Sequence, residues 1–118
     1  TFAFLENPYF TTPDIGAATG VSLRTSGVNA SAAAAPTIAS ATTIAPITAI
    51  IFVSGTTTIQ TITPPSPISA GGGQITIIPT GLFATGVTGN IALASTAVIN
   101  KALIMTYDAT TLKWYPSY

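Results

Sequence analysis

Three carboxylates are the only acidic side chains in this sequence of 118 residues: Glu6, Asp14 and Asp108. A glycosidase places two carboxylates about 5–10 Å apart on either side of a sugar. Two of these residues lie near the N-terminus and the third lies near the C-terminus, so their spacing does not predict such a pair. The sequence also contains no histidine and no cysteine. It therefore lacks the usual general base, the Ser-His and Cys-His nucleophile pairs, and the commonest metal ligands.

These absences predict a protein that is not an enzyme and that has no catalytic, cofactor-binding or metal-binding residues. We interpret Asp14 and Asp108 as turn residues and Glu6 as a solvated side chain. The triplet Gly71-Gly72-Gly73 lacks the lysine and the Ser or Thr of a phosphate-binding loop. It therefore predicts a hairpin or bulge loop.

Three aromatic residues, Trp114, Tyr115 and Tyr118, lie close together near the C-terminus. Aromatic rings present flat apolar faces with a polar edge, so these residues are candidate contacts for a glycan. Packing in the core or at an interface is the alternative. The spacing favours packing for Trp114, because it alternates with Leu112 and Pro116 on one apolar face.

Charge is scarce in this sequence. Only 5% of the residues are charged, compared with about 25% in ordinary globular domains, and the net charge is zero. Three cationic side chains cannot form a phosphate-binding patch, which argues against nucleic acid as a partner. Obligate protein interfaces are depleted in charge, and a monomer with little charge is poorly protected against association. The composition therefore predicts a homo-oligomer rather than a lone domain that its Thr and Ser hydroxyls keep in solution.

The mean hydropathy of +0.60 is high, but the sequence does not predict a membrane-inserted protein. Its longest strongly apolar run, residues 49–53, is far shorter than the ~20 residues that a spanning helix needs. The chain starts at Thr1 rather than Met, as expected of a processed chain or of a fragment.

We divide the chain into an extended N-terminal arm, residues 1–46, and a β-domain, residues 47–118. A disordered tail is poor in aromatic residues, and each large aromatic side chain buries roughly 150–250 Å². The start of the arm nevertheless carries five large apolar residues: Phe2, Phe4, Leu5, Tyr9 and Phe10. We predict that these residues pack on a neighbouring subunit or on another protein, and that they attach the chain to its assembly.

The β-domain consists of short apolar segments separated by turns. The run Ile47–Val53 is typical of a strand buried on both faces, while residues 74–77 alternate and predict a strand with one wet face. Residues 102–107 and 111–115 predict a final hairpin. No period of 20–50 residues indicates a solenoid. The predicted fold class is all-β, a small antiparallel β-sandwich or jelly-roll domain.

Six segments of the chain carry a resemblance to a known group of proteins: 38–46, 52–56, 75–79, 89–94, 105–108 and 113–116. In this order they resemble a domain found at the C-terminus of tail-fibre, tailspike and other virion-surface proteins of tailed bacteriophages. Residues 13–20 are similar to segments that link modules in such fibres. The resemblance covers about three-quarters of the chain. It departs at the last hairpin, where similar proteins commonly have a tighter Asp-Gly turn.

The resemblance implies a structural protein on the surface of an extracellular virion, a fibre or fibre-tip module that is often trimeric. The arm would then bind other virion proteins, and the C-terminal aromatic residues would contact a host surface glycan. Three alternatives stay open: a capsid decoration or cement protein, a carbohydrate-binding module that recognises a receptor, and a subunit of an extracellular filament joined by donated strands.

Overall fold

The computed structural model describes residues 34–118 and, for the backbone alone, residues 22–25 and 28–31. These residues form nine strands and one helix of four residues, so the predicted all-β class is confirmed. The elements are β1 (Ser22–Thr25), β2 (Val28–Ser31), β3 (Thr37–Ala39), β4 (Thr43–Ile44), β5 (Ile50–Ser54), β6 (Thr61–Ile62), α1 (Ile68–Gly71), β7 (Gly73–Pro79), β8 (Leu103–Asp108) and β9 (Lys113–Pro116).

Five strands form the main sheet, in the order β3-β5-β7-β8-β9. The predicted C-terminal hairpin is present as β8 and β9, and β8 also pairs antiparallel with β7. The other three strands, β3, β5 and β7, run parallel to one another. The prediction of an antiparallel sheet is therefore wrong for this half, because parallel neighbours need crossover connections and cannot be joined by tight turns.

A second, smaller sheet pairs β4 with β6 in parallel. Isolated bridges extend this ladder, since Ile59 pairs with Thr85 and Ala84 pairs with Thr96. From β3 to β7 the chain passes alternately through the main sheet and the smaller sheet. Each parallel crossover in the main sheet therefore includes a strand of the smaller one.

This alternation resembles the turns of a short solenoid, an arrangement that the sequence does not predict. Successive turns differ in length, because Thr37 pairs with Phe52 whereas Ile50 pairs with Thr76. Turns of unequal length leave no fixed period in a sequence. The solenoid-like turns of the structure therefore do not show as repeats in the sequence.

Side chains of the main sheet alternate between the core and the outside, as the strand period of two requires. Ile75 and Ile77 of β7 are buried, whereas Gln74, the residue before Ile75, is exposed. The predicted single wet face of this segment is confirmed. Leu103 and Met105 of β8 lie on the same buried side. One hydrophobic core therefore lies on one side of the main sheet.

Strand β5 is less covered than predicted. Ile51 and Val53 are buried, but Ile50 is 39% exposed and Ile47, just before the strand, is 73% exposed. The prediction that this run is buried on both faces is wrong for the single chain. Its outer side has no cover among the described residues.

The region assigned to the arm contains more regular structure than expected. Strands β1 and β2 pair as an antiparallel hairpin, and β3 and β4 pair with β5 and β6. Thr37, Ile38 and Ile44 are β-branched residues that suit strands, so the sheets begin before residue 47. Residues 1–21 lie outside the described part of the chain.

Candidate assembly surface and C-terminal aromatic residues

The turn between β8 and β9 is organised by Asp108. Its carboxylate Oδ2 accepts a hydrogen bond of 2.8 Å from the backbone N–H of Thr111, and its carbonyl accepts one of 2.8 Å from Leu112. Leu112 has φ of 59°, in the left-handed region that non-glycine residues seldom occupy. Asp108 is thus a turn residue, as the sequence predicts, and its carboxylate is engaged in the turn.

The same hydrogen bonds make the turn sensitive to acid. The backbone N–H of Thr111 is the main group that lowers the pKa of Asp108 below its ordinary value of 3.8. A carboxylate with a lowered folded-state pKa stabilises the fold fully above its ordinary pKa. That contribution is lost as the pH falls through the folded value.

We therefore expect Asp108→Asn to melt at a slightly lower temperature than the wild type near pH 7, because it lacks the charged acceptor. As the pH falls from 7 through the lowered folded-state pKa of Asp108, the difference in melting temperature should shrink, so it should be smaller near pH 2 than near pH 7. Thermal unfolding followed by circular dichroism at both pH values tests this. An equal gap at both pH values would mean that the charge of Asp108 does not stabilise the turn.

Trp114 lies in the core. Its side chain is fully buried, and its ring centroid is 5.0 Å from that of Tyr107, with the two planes tilted by 51°. Its Nε1–H donates a hydrogen bond of 2.8 Å to the carbonyl of Ile62 in the smaller sheet. Trp114 therefore joins the two sheets and has no surface that a glycan could reach.

The other two aromatic residues lie apart from Trp114. Tyr115 is the next residue along β9, so it points to the opposite side, where it is 42% exposed and donates a hydrogen bond of 3.0 Å to Thr111 Oγ1. Tyr118 is half-buried, and its hydroxyl donates to the carbonyl of Lys101 at 2.8 Å. The Lys101 ammonium lies 4.5 Å from the centre of the Tyr118 ring. The three residues do not form one aromatic platform, and a glycan contact through the two tyrosines stays a prediction.

Asn90 has a structural role that the sequence does not reveal. Its Oδ1 accepts from the backbone N–H of Ile62 at 2.9 Å, and its Nδ2 donates to the carbonyl of Ile62 at 2.7 Å. Its own carbonyl accepts from the backbone N–H of Trp114 at 2.8 Å. The side-chain amide thus substitutes for a strand residue beside β6, and the backbone carbonyl of Asn90 connects this position to β9. The sequence marks Asn90 only as a turn residue, because Ile62 lies 28 positions away.

The side of the main sheet that faces away from the core carries an apolar surface, called the outer face below. It consists of Ile50, Phe52, Thr76, Ile78, Ile104 and Tyr115. The strand register places Ile50, Thr76 and Ile104 in one row across three strands. Ile50 and Ile104 are 39% and 40% exposed. An exposed face of a sheet normally carries polar residues at such positions.

Two polar residues on the same side of the sheet, in the row of Tyr115, bind each other. Gln74 Nε2 donates to Thr106 Oγ1 at 3.2 Å, across β7 and β8. The only charged residues on the five strands of this sheet are Asp108 and Lys113, which are strand-register partners at the turn end, and the Asp108 carboxylate accepts from the backbone N–H of Thr111. Covering the outer face would therefore desolvate few unpaired polar groups, and this lowers the cost of burying it.

Other sequence predictions fall outside the described residues. The five apolar residues proposed for attachment lie there: Phe2, Phe4, Leu5, Tyr9 and Phe10. Glu6 and Asp14 lie there as well, so their distances to Asp108 are not defined. Among residues that the structure does describe, no three metal-ligating side chains cluster. No helix in that part of the chain is long and apolar enough to cross a membrane.

The chain matches no protein-family model, no curated protein and no solved structure at a significant level. The resemblance to virion-surface domains of tailed phages therefore stays a prediction that the six sequence segments carry.

Proposed function

We propose that this chain is a non-enzymatic structural protein of a bacteriophage virion, a fibre or fibre-tip module that assembles with copies of itself on the virion surface. The observation that carries the proposal is the ordered resemblance of segments between residues 38 and 116 to virion-surface domains. The scarcity of charge supports the self-assembly, because surfaces that are permanently covered need few charges. A trimer is the favoured oligomer, on the resemblance alone.

The architecture that we propose for the assembled module is a β-sandwich. The main sheet and the smaller sheet would be its two layers, since residues of both belong to one buried cluster that includes Ile62 and Trp114. The proposed role needs packing rather than chemistry. Asp108, the one Asp or Glu among the described residues, is already bound within its turn.

The five apolar residues at the start of the arm are proposed as the attachment element to other virion proteins. Their side chains are too apolar to be left in water without cost, and the charge of the chain is too low for attachment by ion pairs. The partner would therefore present an apolar groove or strand edge.

Electron microscopy of the native particle, labelled with an antibody against residues 47–118, tests the proposed function. We expect the label on tail fibres. Deletion of residues 1–12 should remove the label from the particle, while the purified deletion variant keeps the β-type circular dichroism of the wild type. Label on the capsid face would instead support a decoration protein, and label on a free filament would exclude a virion role. Turnover of a polysaccharide by the purified chain would contradict the non-enzymatic assignment.

A further inference from the structure

We infer that the outer face of the main sheet is the surface through which two copies of this chain bind each other. This inference rests on the proposed self-assembly and goes beyond it by naming the surface. The centre of the contact is the row Ile50, Thr76 and Ile104, in which two exposed isoleucines flank a threonine across three neighbouring strands. Phe52 and Ile78 extend the same surface in the adjacent row.

The charge distribution favours a second copy as the occupant. The six residues of the outer face are uncharged, and the only charged residues on that side of the sheet, Asp108 and Lys113, have opposite charges and are register partners at its turn end. A charged partner would bury its own charges against this face without receiving an opposite charge, which is costly. A copy of the chain has zero net charge and presents the same uncharged surface. Contact between two copies thus desolvates no charge at the centre and meets no net repulsion.

The size of the surface also fits this occupant. Strands about 4.8 Å apart and about five residues long give the five-stranded sheet a flat area of roughly 400 Å². A standard interface buries about 800 Å² on each partner, so the flat face supplies about half of that area. Side chains that stand above it, such as Phe52 and Ile104, add to the contact. Packed sheet faces lie about 10 Å apart, and the outer faces of neighbouring copies can meet around the axis of the favoured trimer.

Sedimentation equilibrium of the full chain and of two matched variants tests the inference, because it measures their mass in solution. A protein concentration of about 100 µM exceeds the Kd of all but weak contacts. Ile104→Glu places a carboxylate in the central row. Leu93→Glu is the control, because it adds the same charge at a residue that is 65% exposed and lies outside the main sheet. Thr106→Lys, beside the central row, replaces the first variant if Ile104→Glu does not fold by circular dichroism.

We expect the wild type and Leu93→Glu to sediment as a multiple of 11.9 kDa, and Ile104→Glu to sediment as a monomer. An unpaired buried carboxylate should weaken the association by about 100-fold or more. If Ile104→Glu and Thr106→Lys keep the wild-type mass, another surface joins the copies. The outer face is then excluded, although the proposed self-assembly stands. A monomeric wild type would overturn both the interface and the self-assembly, while the location on the particle would still be decided by microscopy.

Discussion

Replacing Trp114 with alanine is expected to lower the free energy of unfolding by about 3–5 kcal/mol, the usual cost of removing a large aromatic side chain from a core. The side chain is fully buried, packs on Tyr107 and donates a hydrogen bond to Ile62 in the opposite sheet. Small domains have total stabilities of about 5–15 kcal/mol, so this loss is a large part of the whole. Urea denaturation followed by circular dichroism measures it.

Trp114→Phe separates the hydrogen bond from the packing. Phenylalanine fills much of the same space but cannot donate to Ile62, so we expect a loss of about 1–3 kcal/mol. The Ile62 carbonyl would keep its hydrogen bond from Asn90 and would not be left without a partner, which limits the cost. If Trp114→Ala unfolds at the same urea concentration as the wild type, then Trp114 does not anchor the core and the assignment of the inner side of β9 is wrong.

Gly81→Ala is expected to lower the free energy of unfolding by about 1–3 kcal/mol, the typical cost of forcing extra atoms into a packed site. A Cβ at position 81 would lie 2.5 Å from the backbone nitrogen of Gly55 and closer still to its oxygen. Gly55 and Gly81 follow the parallel strands β5 and β7, so their turns stack directly on each other. Backbone atoms cannot rotate away as a flexible side chain can, so the turns would have to separate.

Gly71→Ala is the matched control for this substitution. It adds the same methyl group at the last residue of α1, where nothing lies within 4 Å of the added carbon. We expect no loss, or a gain of up to about 1 kcal/mol from a less flexible unfolded chain. Gly81→Ala should therefore unfold at a lower urea concentration than Gly71→Ala. Equal stability of Gly81→Ala and Gly71→Ala would mean that the two stacked turns are not in close contact.

The elements that the sequence predicts well are those decided by local signals. The β8–β9 hairpin follows from two apolar segments separated by a turn at Asp108, and β7 follows from the alternation around Ile75 and Ile77. The parallel pairing of Thr37 with Phe52 has no such signal. The residues between β3 and β5 form the crossover that allows this pairing, and this crossover differs in length from the one between β5 and β7.

The candidate site shows the same division. Alternation along β9 correctly places Trp114 in the core, but Leu112, which the sequence assigns to the same apolar face, lies in the turn and is 59% exposed. In β5, by contrast, Ile50 and Ile51 are equally apolar, so the sequence does not tell which of the two faces the core. Only the packing of the second sheet decides this, and it leaves Ile50 outside. The outer face is therefore a property of the tertiary structure and not of any single segment.

The bond between Trp114 and Ile62 also bears on how the chain folds. Its two residues are 52 positions apart, and β7 gains its second neighbour only when β8 docks. While the C-terminal hairpin is not yet docked, one edge of β7 has no partner strand and the apolar side chains that Trp114 covers are exposed. Domains dominated by such distant contacts fold in milliseconds to seconds, which is slow for their size. During that interval the unpaired edge of β7 can pair wrongly with a strand of another molecule.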